Sequence, residues 1–274
     1  METYKELEQI AENIRVSVIK AIHAAGSGHP GGSLSAADIV AALYFCEMNG
    51  GEAAADAADR DKFILSKGHA GPVQYAALAE KGLLPKEELL RLRKMGGKLQ
   101  GHPDMKKVPG VEMSTGSLGQ GFSVAGGMAL ANKMDRKKGR IYALLGDGEL
   151  QEGLIWEAAM SAAHYRLDNL VAIVDWNGLQ IDGKNDDVMT VKPIAEKFAA
   201  FGWHVLSIDG HDFKQILDAF GEARTRKDKP TAIIAKTIKG KGVSFMQDQA
   251  GWHGKAPNEA EAKQAVEELG GLQK

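Results

Sequence analysis

The sequence predicts an α/β fold of three layers, with helices on both faces of a mostly parallel central sheet. Three observations carry this. Runs such as RIYALL, LVAIVDW and TAIIAKT are continuously apolar, as strands buried on both faces are. They are separated by stretches of helical spacing, which supply the crossovers a parallel sheet requires. One of the strands runs straight into Gly146-Asp147-Gly148 ahead of a helical stretch, and parallel sheets collect their ligands at such carboxyl ends.

Taken in order, Leu7, Ile10, Ile14, Val18 and Ile22 recur at threes and fours and predict a helix over residues 2–25. GSGHPGGSLS stops it, and Ser35 is placed to cap a second helix through about Met48. Lys62–Ser66 reads as a short strand, Val73–Glu80 as a helix, and Leu83–Met95 as another with Pro85 near its start. Gly96–Gly116 lacks periodicity and reads as an ordered surface loop. Leu118–Lys137 is a glycine-containing helix. After it come strand RIYALL, helix Leu150–His164, strand LVAIVDW, helix Pro193–Phe201, strand WHVLSID, helix Phe213–Ala223 and strand TAIIAKT. IKGKG (Ile238–Gly242) lacks the spacing of a P-loop and reads as a mobile loop. Pro257–Leu269 closes the chain as a polar helix, and no repeat or interdomain linker interrupts it.

At 274 residues the chain is long enough for one large domain with a full core. Its formal net charge of −2 offers no basic field for nucleic acid. A single cysteine excludes an internal disulfide; Cys46, in an apolar helical run, reads as a buried, inert thiol. No signal peptide and no membrane-length apolar run is present, so a soluble cytoplasmic protein is expected.

If the strands ending at Asp147 and Asn177 are neighbours, an acid and a carboxamide face each other at the sheet's edge. Hard oxygen ligands suit Mg²⁺ or Ca²⁺ better than zinc. Gly146 and Gly148 allow close backbone approach to a ligand, and the helix starting near Glu149 would aim its first N–H groups there. A helix cap at Asp147 and a turn at Asn177-Gly178 would account for the same residues without any ligand. Four histidines shift the balance: His29, His69, His102 and His253 each have glycine beside them and none lies on a periodic helix face. Neutral imidazoles in such settings can donate to phosphate, polarise a carbonyl or shuttle protons. TGSLGQG (Thr115–Gly121) is a second glycine-rich turn, but not a nicotinamide fingerprint.

Together, GDG with WNGLQIDG resembles the thiamine diphosphate motif, and SGHPGG, SKGHAG, QGHPD, TGSLGQG and WHG resemble transketolase from His29 to about Pro257. The resemblance implies a thiamine diphosphate-binding domain of the diphosphate type across residues 1–274, made of an N-terminal helical region and a parallel core. It implies thiamine diphosphate and Mg²⁺ (or Ca²⁺ or Mn²⁺) as cofactors, with Asp147, Asn177 and the Leu179 carbonyl as metal ligands. It puts Gly148, His69 and His253 on the diphosphate, Leu118 and Ile181 beside the cofactor rings, and Gly116, Gly146 and Glu149 among the other cofactor-binding residues. His29, His69, His102 and His253 would meet the donor sugar, and Glu152 would belong to a carboxylate network across the dimer. Lys67 stands where the family commonly has Asn, and Ser117 where it has Pro.

A transketolase normally carries three domains, and the pyrimidine-binding and C-terminal ones have no counterpart here. The resemblance therefore implies the N-terminal subunit of a split transketolase. It would transfer a two-carbon ketol unit between sugar phosphates, as in the pentose phosphate pathway, only within a heterotetramer formed with a C-terminal partner subunit. Neither nucleic acid nor membrane is an expected partner. The competing readings are the α-subunit of a 2-oxoacid dehydrogenase, a split transketolase for an unusual sugar, a non-catalytic cofactor-binding subunit, and a metal-dependent phosphohydrolase.

Overall fold

The computed structural model describes residues 2–49 and 59–271. Its centre is a five-stranded parallel sheet of β1 (Lys62–Leu65), β2 (Ile141–Gly146), β3 (Leu170–Trp176), β6 (His204–Asp209) and β7 (Thr231–Lys236), in the order β1-β2-β3-β7-β6. A two-stranded ribbon, β4 (Leu179–Gln180) and β5 (Gly183–Lys184), hangs from the end of β3 and leads into the one-turn α7 (Asn185–Val188).

The apolar runs are continuous because each face of the sheet has its own core. Phe63, Leu65, Tyr142, Leu144, Val171, Ile173 and Ile233 point to one side. There they meet a layer that includes α1 (Glu2–Ala25), α3 (Ala37–Ala42), α4 (Gly71–Glu80), α9 (Phe213–Thr225) and α10 (Glu259–Glu268). Ile64, Ile141, Ala143, Leu145, Leu170, Ala172, Val174 and Ile234 point to the other, under α5 (Gln120–Met134), α6 (Gly153–His164) and α8 (Ile194–Ala200). This is the predicted three-layer arrangement, with alternate residues of each strand filling opposite layers.

Several boundaries differ from the expectation. The second helix begins at Pro30, not after Ser35: α2 spans Pro30–Ser35, and the Ser35 hydroxyl donates to Asp175 Oδ2 at 2.6 Å instead of capping a helix. Proline at the first helical position starts that helix. A π-helical turn over Leu43–Glu47 follows α3. Its wider winding shifts the phase of the run. Cys46 consequently faces solvent, not the core. Leu83–Met95 is no regular helix: only Lys86–Arg91 winds, as a 3-10 segment, which suffices to bury Leu89. The predicted Leu118 start moves to Gln120, because Gly119 at φ +83° breaks the helix geometry. The helix expected near Glu149 begins at Gly153, after a 3-10 turn over Gly148–Gln151. Ile238–Gly242 is not a loose loop: Lys239 is 2 % exposed and the Gly240 amide donates to the Gly31 carbonyl at 3.0 Å.

Candidate functional site

Strand register sets the site. β2 and β3 are parallel neighbours with Gly146 opposite Asp175. Asp147, one residue past the end of β2, and Asn177, one past the end of β3, therefore leave the same edge of the sheet. Both are buried. Asp147 Oδ1 accepts from the Gly148 amide at 2.8 Å and Oδ2 from the Gly178 amide at 2.5 Å. Asn177 Oδ1 accepts from the Leu179 amide at 3.1 Å. The cap and the turn are thus both present, and the same side chains also line a cleft of about 310 Å³.

That cleft gathers His29, His69 and His253 with Gly116, Leu118, Gly146, Asp147, Gly148, Glu149, Glu152, Asn177, Leu179 and Ile181. The three imidazoles touch one another, with ring centroids 5.1–5.3 Å apart. His102 is not among the lining residues: it is exposed at the rim, where its ring lies against Gly116. Glu149 is buried and ties three segments together, accepting from Ser66 Oγ at 2.5 Å, Gly119 N at 2.9 Å and Gly146 N at 3.0 Å. Glu152 is exposed, Leu118 half-buried, and Ile181 stands 67 % exposed at the mouth.

Charges in the cleft are poorly hydrated. Burial, with Asp175 nearby, pushes the Asp147 carboxyl up to about 6. Burial, reinforced by Arg93, lowers His29 to about 4; burial with Lys239 lowers His253 to about 3; burial with Lys67 holds His69 well below its usual range. All three are therefore neutral at pH 7 and present N–H donors without adding charge. The sign for stability follows. An unfolded chain protonates these rings near 6.5, whereas the folded one refuses protons until about 4 at His29 and about 3 at His253. Stability then falls as pH drops from 6.5 toward 4. The urea midpoint should fall less between pH 7 and pH 5 in the His29→Gln, His253→Gln double variant than in the wild type; equal falls would contradict the assignment.

Four residues of the site escape sequence reasoning. Lys239 reaches the Leu179 carbonyl with Nζ at 3.3 Å and His253 Nδ1 at 3.1 Å. Burial lowers it to about 8, against the pull of Asp147. Lys67 shows in the sequence only as a departure from the family pattern; its Nζ bonds Asp175 Oδ2 and donates to the Gly32 carbonyl at 2.7 Å. Asp175 is fully buried and also accepts from Ser35 and Thr237. Burial works against its ionised form, but Lys67 holds the carboxyl below its usual range. Removing one partner of such a pair strands the other charge, so Lys67→Met should cost about 3–5 kcal/mol. An unchanged chemical denaturation midpoint would refute that. The fourth is Asn185, buried beside Gly148, whose side chain lies within hydrogen-bonding reach of Asp147.

The residues fit a hard divalent cation. Burial holds the Asp147 carboxyl above its usual range, so its charge would gain from a bound cation, and Asn177 Oδ1 and Leu179 O are further oxygen donors on the same cleft. Among the described residues no group of three His, Cys, Asp or Glu could hold a metal, so a zinc-type site is not formed.

This architecture, a parallel sheet with an acid, a carboxamide and clustered imidazoles at its carboxyl edge, defines a cofactor-binding α/β domain. Residues 7–273 match the transketolase thiamine diphosphate-binding domain, and the chain belongs to that family. It is 47 % identical over 264 residues to a 6-deoxy-6-sulfo-D-fructose transketolase subunit of Clostridium sp. (strain MSTE9), covering 96 % of each chain. It is 41 % identical to an apulose-4-phosphate transketolase subunit of Phocaeicola vulgatus, covering 96 % of this chain and 93 % of that one. The structure superposes on transketolase from Campylobacter jejuni with a TM-score of 0.91 and 34 % identity, covering 96 % of this chain and 42 % of that one. The chain thus spans about two fifths of the full-length transketolases it matches.

Proposed function

We propose that this chain is the N-terminal, thiamine diphosphate-binding subunit of a split transketolase. It transfers a two-carbon ketol unit from a ketose phosphate to an aldose phosphate once joined by a C-terminal partner, in a cytoplasmic heterotetramer serving pentose phosphate-type interconversion. The observation that carries the reading is the convergence of Asp147, Asn177, Leu179 and three neutral histidines on one cleft. The near end-to-end match to two relatives that are themselves named as subunits supports the two-chain organisation.

In this reading Asp147, Asn177 and the Leu179 carbonyl hold Mg²⁺, for which Ca²⁺ or Mn²⁺ can substitute. Gly148, His69 and His253 meet the diphosphate, while Gly116, Gly146 and Glu149 shape its seat. Leu118 and Ile181 flank the rings. When bound, thiamine diphosphate supplies the nucleophilic carbon that opens a ketose beside its carbonyl. The chain's own groups orient the sugar: His29, His69 and His253, neutral at pH 7, donate N–H bonds to its carbonyl and hydroxyl oxygens, with His102 closing the rim. Neutral rings also accept a proton from a hydroxyl and return it. Glu152, exposed at the mouth, faces the partner.

The test is to reconstitute the two chains with thiamine diphosphate and Mg²⁺, supply ketose and aldose phosphates or 2-oxoacids, and identify products by NMR. Two-carbon transfer is expected; CO₂ release from a 2-oxoacid, with no transfer, would overturn the reading in favour of a dehydrogenase subunit.

A further inference from the structure

Lys239 reaches the cleft from a segment that is not part of any strand or helix, so something must fix where its ammonium stands. Gly240 is tied to Gly31 on one side. On the other, the Ile238 amide donates to Nε2 of His211 at 2.9 Å. That bond determines the tautomer. A ring nitrogen accepting from a backbone N–H carries no hydrogen, so the proton is on Nδ1, which donates to Asp38 Oδ2 at 2.6 Å. Asp38 is in turn clamped by Arg15 Nη2 at 2.5 Å, and Arg15 Nε donates to the Leu34 carbonyl at 3.2 Å.

The result is a chain of contacts from α1 through α3 to the loop between β6 and α9, ending one residue before Lys239. Resting on the cofactor-binding reading above, we propose that His211 is a positioning residue for the cofactor site. Its neutral imidazole, locked by Asp38, holds the Ile238 amide and thereby places the Lys239 ammonium between the Leu179 carbonyl and His253. A cation fixed there meets an incoming diphosphate without having to be ordered at the moment of binding. Loss of the acceptor frees the 237–238 peptide to rotate, and the Lys239 backbone and ammonium that follow it. His211 touches neither the cleft nor its contents.

Two polar substitutions separate this role from mere packing. Asn places its amide where Nδ1 was and keeps the bond to Asp38, but falls short of Ile238. Gln extends to where Nε2 was and offers an oxygen to the Ile238 amide. In the full-length chain without cofactor, hydrogen exchange at Ile238 should speed up at least tenfold in His211→Asn and stay near wild type in His211→Gln, with similar melting temperatures for both. Equal exchange in the two variants, or parallel loss of stability in both, would overturn the proposal. The second arm titrates thiamine diphosphate at saturating Mg²⁺ into the chain assembled with its partner. Half-saturation should rise about tenfold in His211→Asn and be restored in His211→Gln; unchanged affinity in His211→Asn would also overturn the proposal. Failure of the wild type to bind thiamine diphosphate would count against the cofactor reading itself, while the exchange result would still decide the positioning role.

Discussion

Assayed alone, the chain is expected to show no ketol transfer, and mixed with its partner it should turn over. The difference should reach a thousandfold or more, since losing one acid–base group alone removes roughly 10²–10⁴ in rate, and the proposed partner would supply such a group together with a second wall of the cleft. The exposure of the cleft mouth supports this expectation. Leu118 is only half-covered and Ile181 stands in water. A ring lying against them would be covered on one side only. The nearby Gln151 amide, donating to Gln180 Oε1 at 2.6 Å and to the Met189 carbonyl at 2.8 Å, holds the ribbon carrying Ile181 against exposed Met189. A coupled assay of each chain separately and of the mixture checks this; substantial turnover by this chain alone would refute the two-subunit proposal.

Replacing Asp147 by Asn should have the second-largest effect, and with two opposite signs. The amide keeps one oxygen, which can accept from only one of the Gly148 and Gly178 amides, and removes the only carboxylate of the proposed metal set. Losing a supporting contact to a ligand typically costs about 10–100-fold in metal affinity, so losing the ligand's charge should cost at least the upper figure. Without metal, the same change should leave the chain as stable or more so. Asp147 titrates near 6 in the fold, above its usual range, so at pH 7 its ionised form is disfavoured by folding. Calorimetric titration with Mg²⁺ and thiamine diphosphate, beside thermal melts of the metal-free protein, reads both signs. Normal cofactor affinity in Asp147→Asn would remove this residue from the metal set.

Features whose periodicity or spacing is local are legible in the sequence. The apolar strands announce themselves, and the Asp147–Asn177 pair follows from them once parallel neighbours share an edge. Gly-flanked histidines are visible one by one, though only the fold shows that three of them touch and that His102 stays at the rim. The illegible parts depend on contacts between distant segments. Lys67 and Asp175 are 108 residues apart, and no local pattern links them. Lys239 sits in a glycine-rich stretch that reads as slack until Gly31 and His211 hold it. Leu83–Met95 has helix-like spacing, yet burying Leu84, Leu89 and Leu92 requires only a short 3-10 turn against α1. Cys46 is misread from sequence for a related reason: one π turn rotates the face that a regular helix would bury.

The uncovered isoleucine at the cleft mouth also bears on how such a protein is best produced. A copy without its counterpart carries Ile181 and Met189 as greasy contacts open to any other chain. Synthesis in excess of the proposed partner would favour clumping, so expression balanced with that partner should protect solubility as well as output.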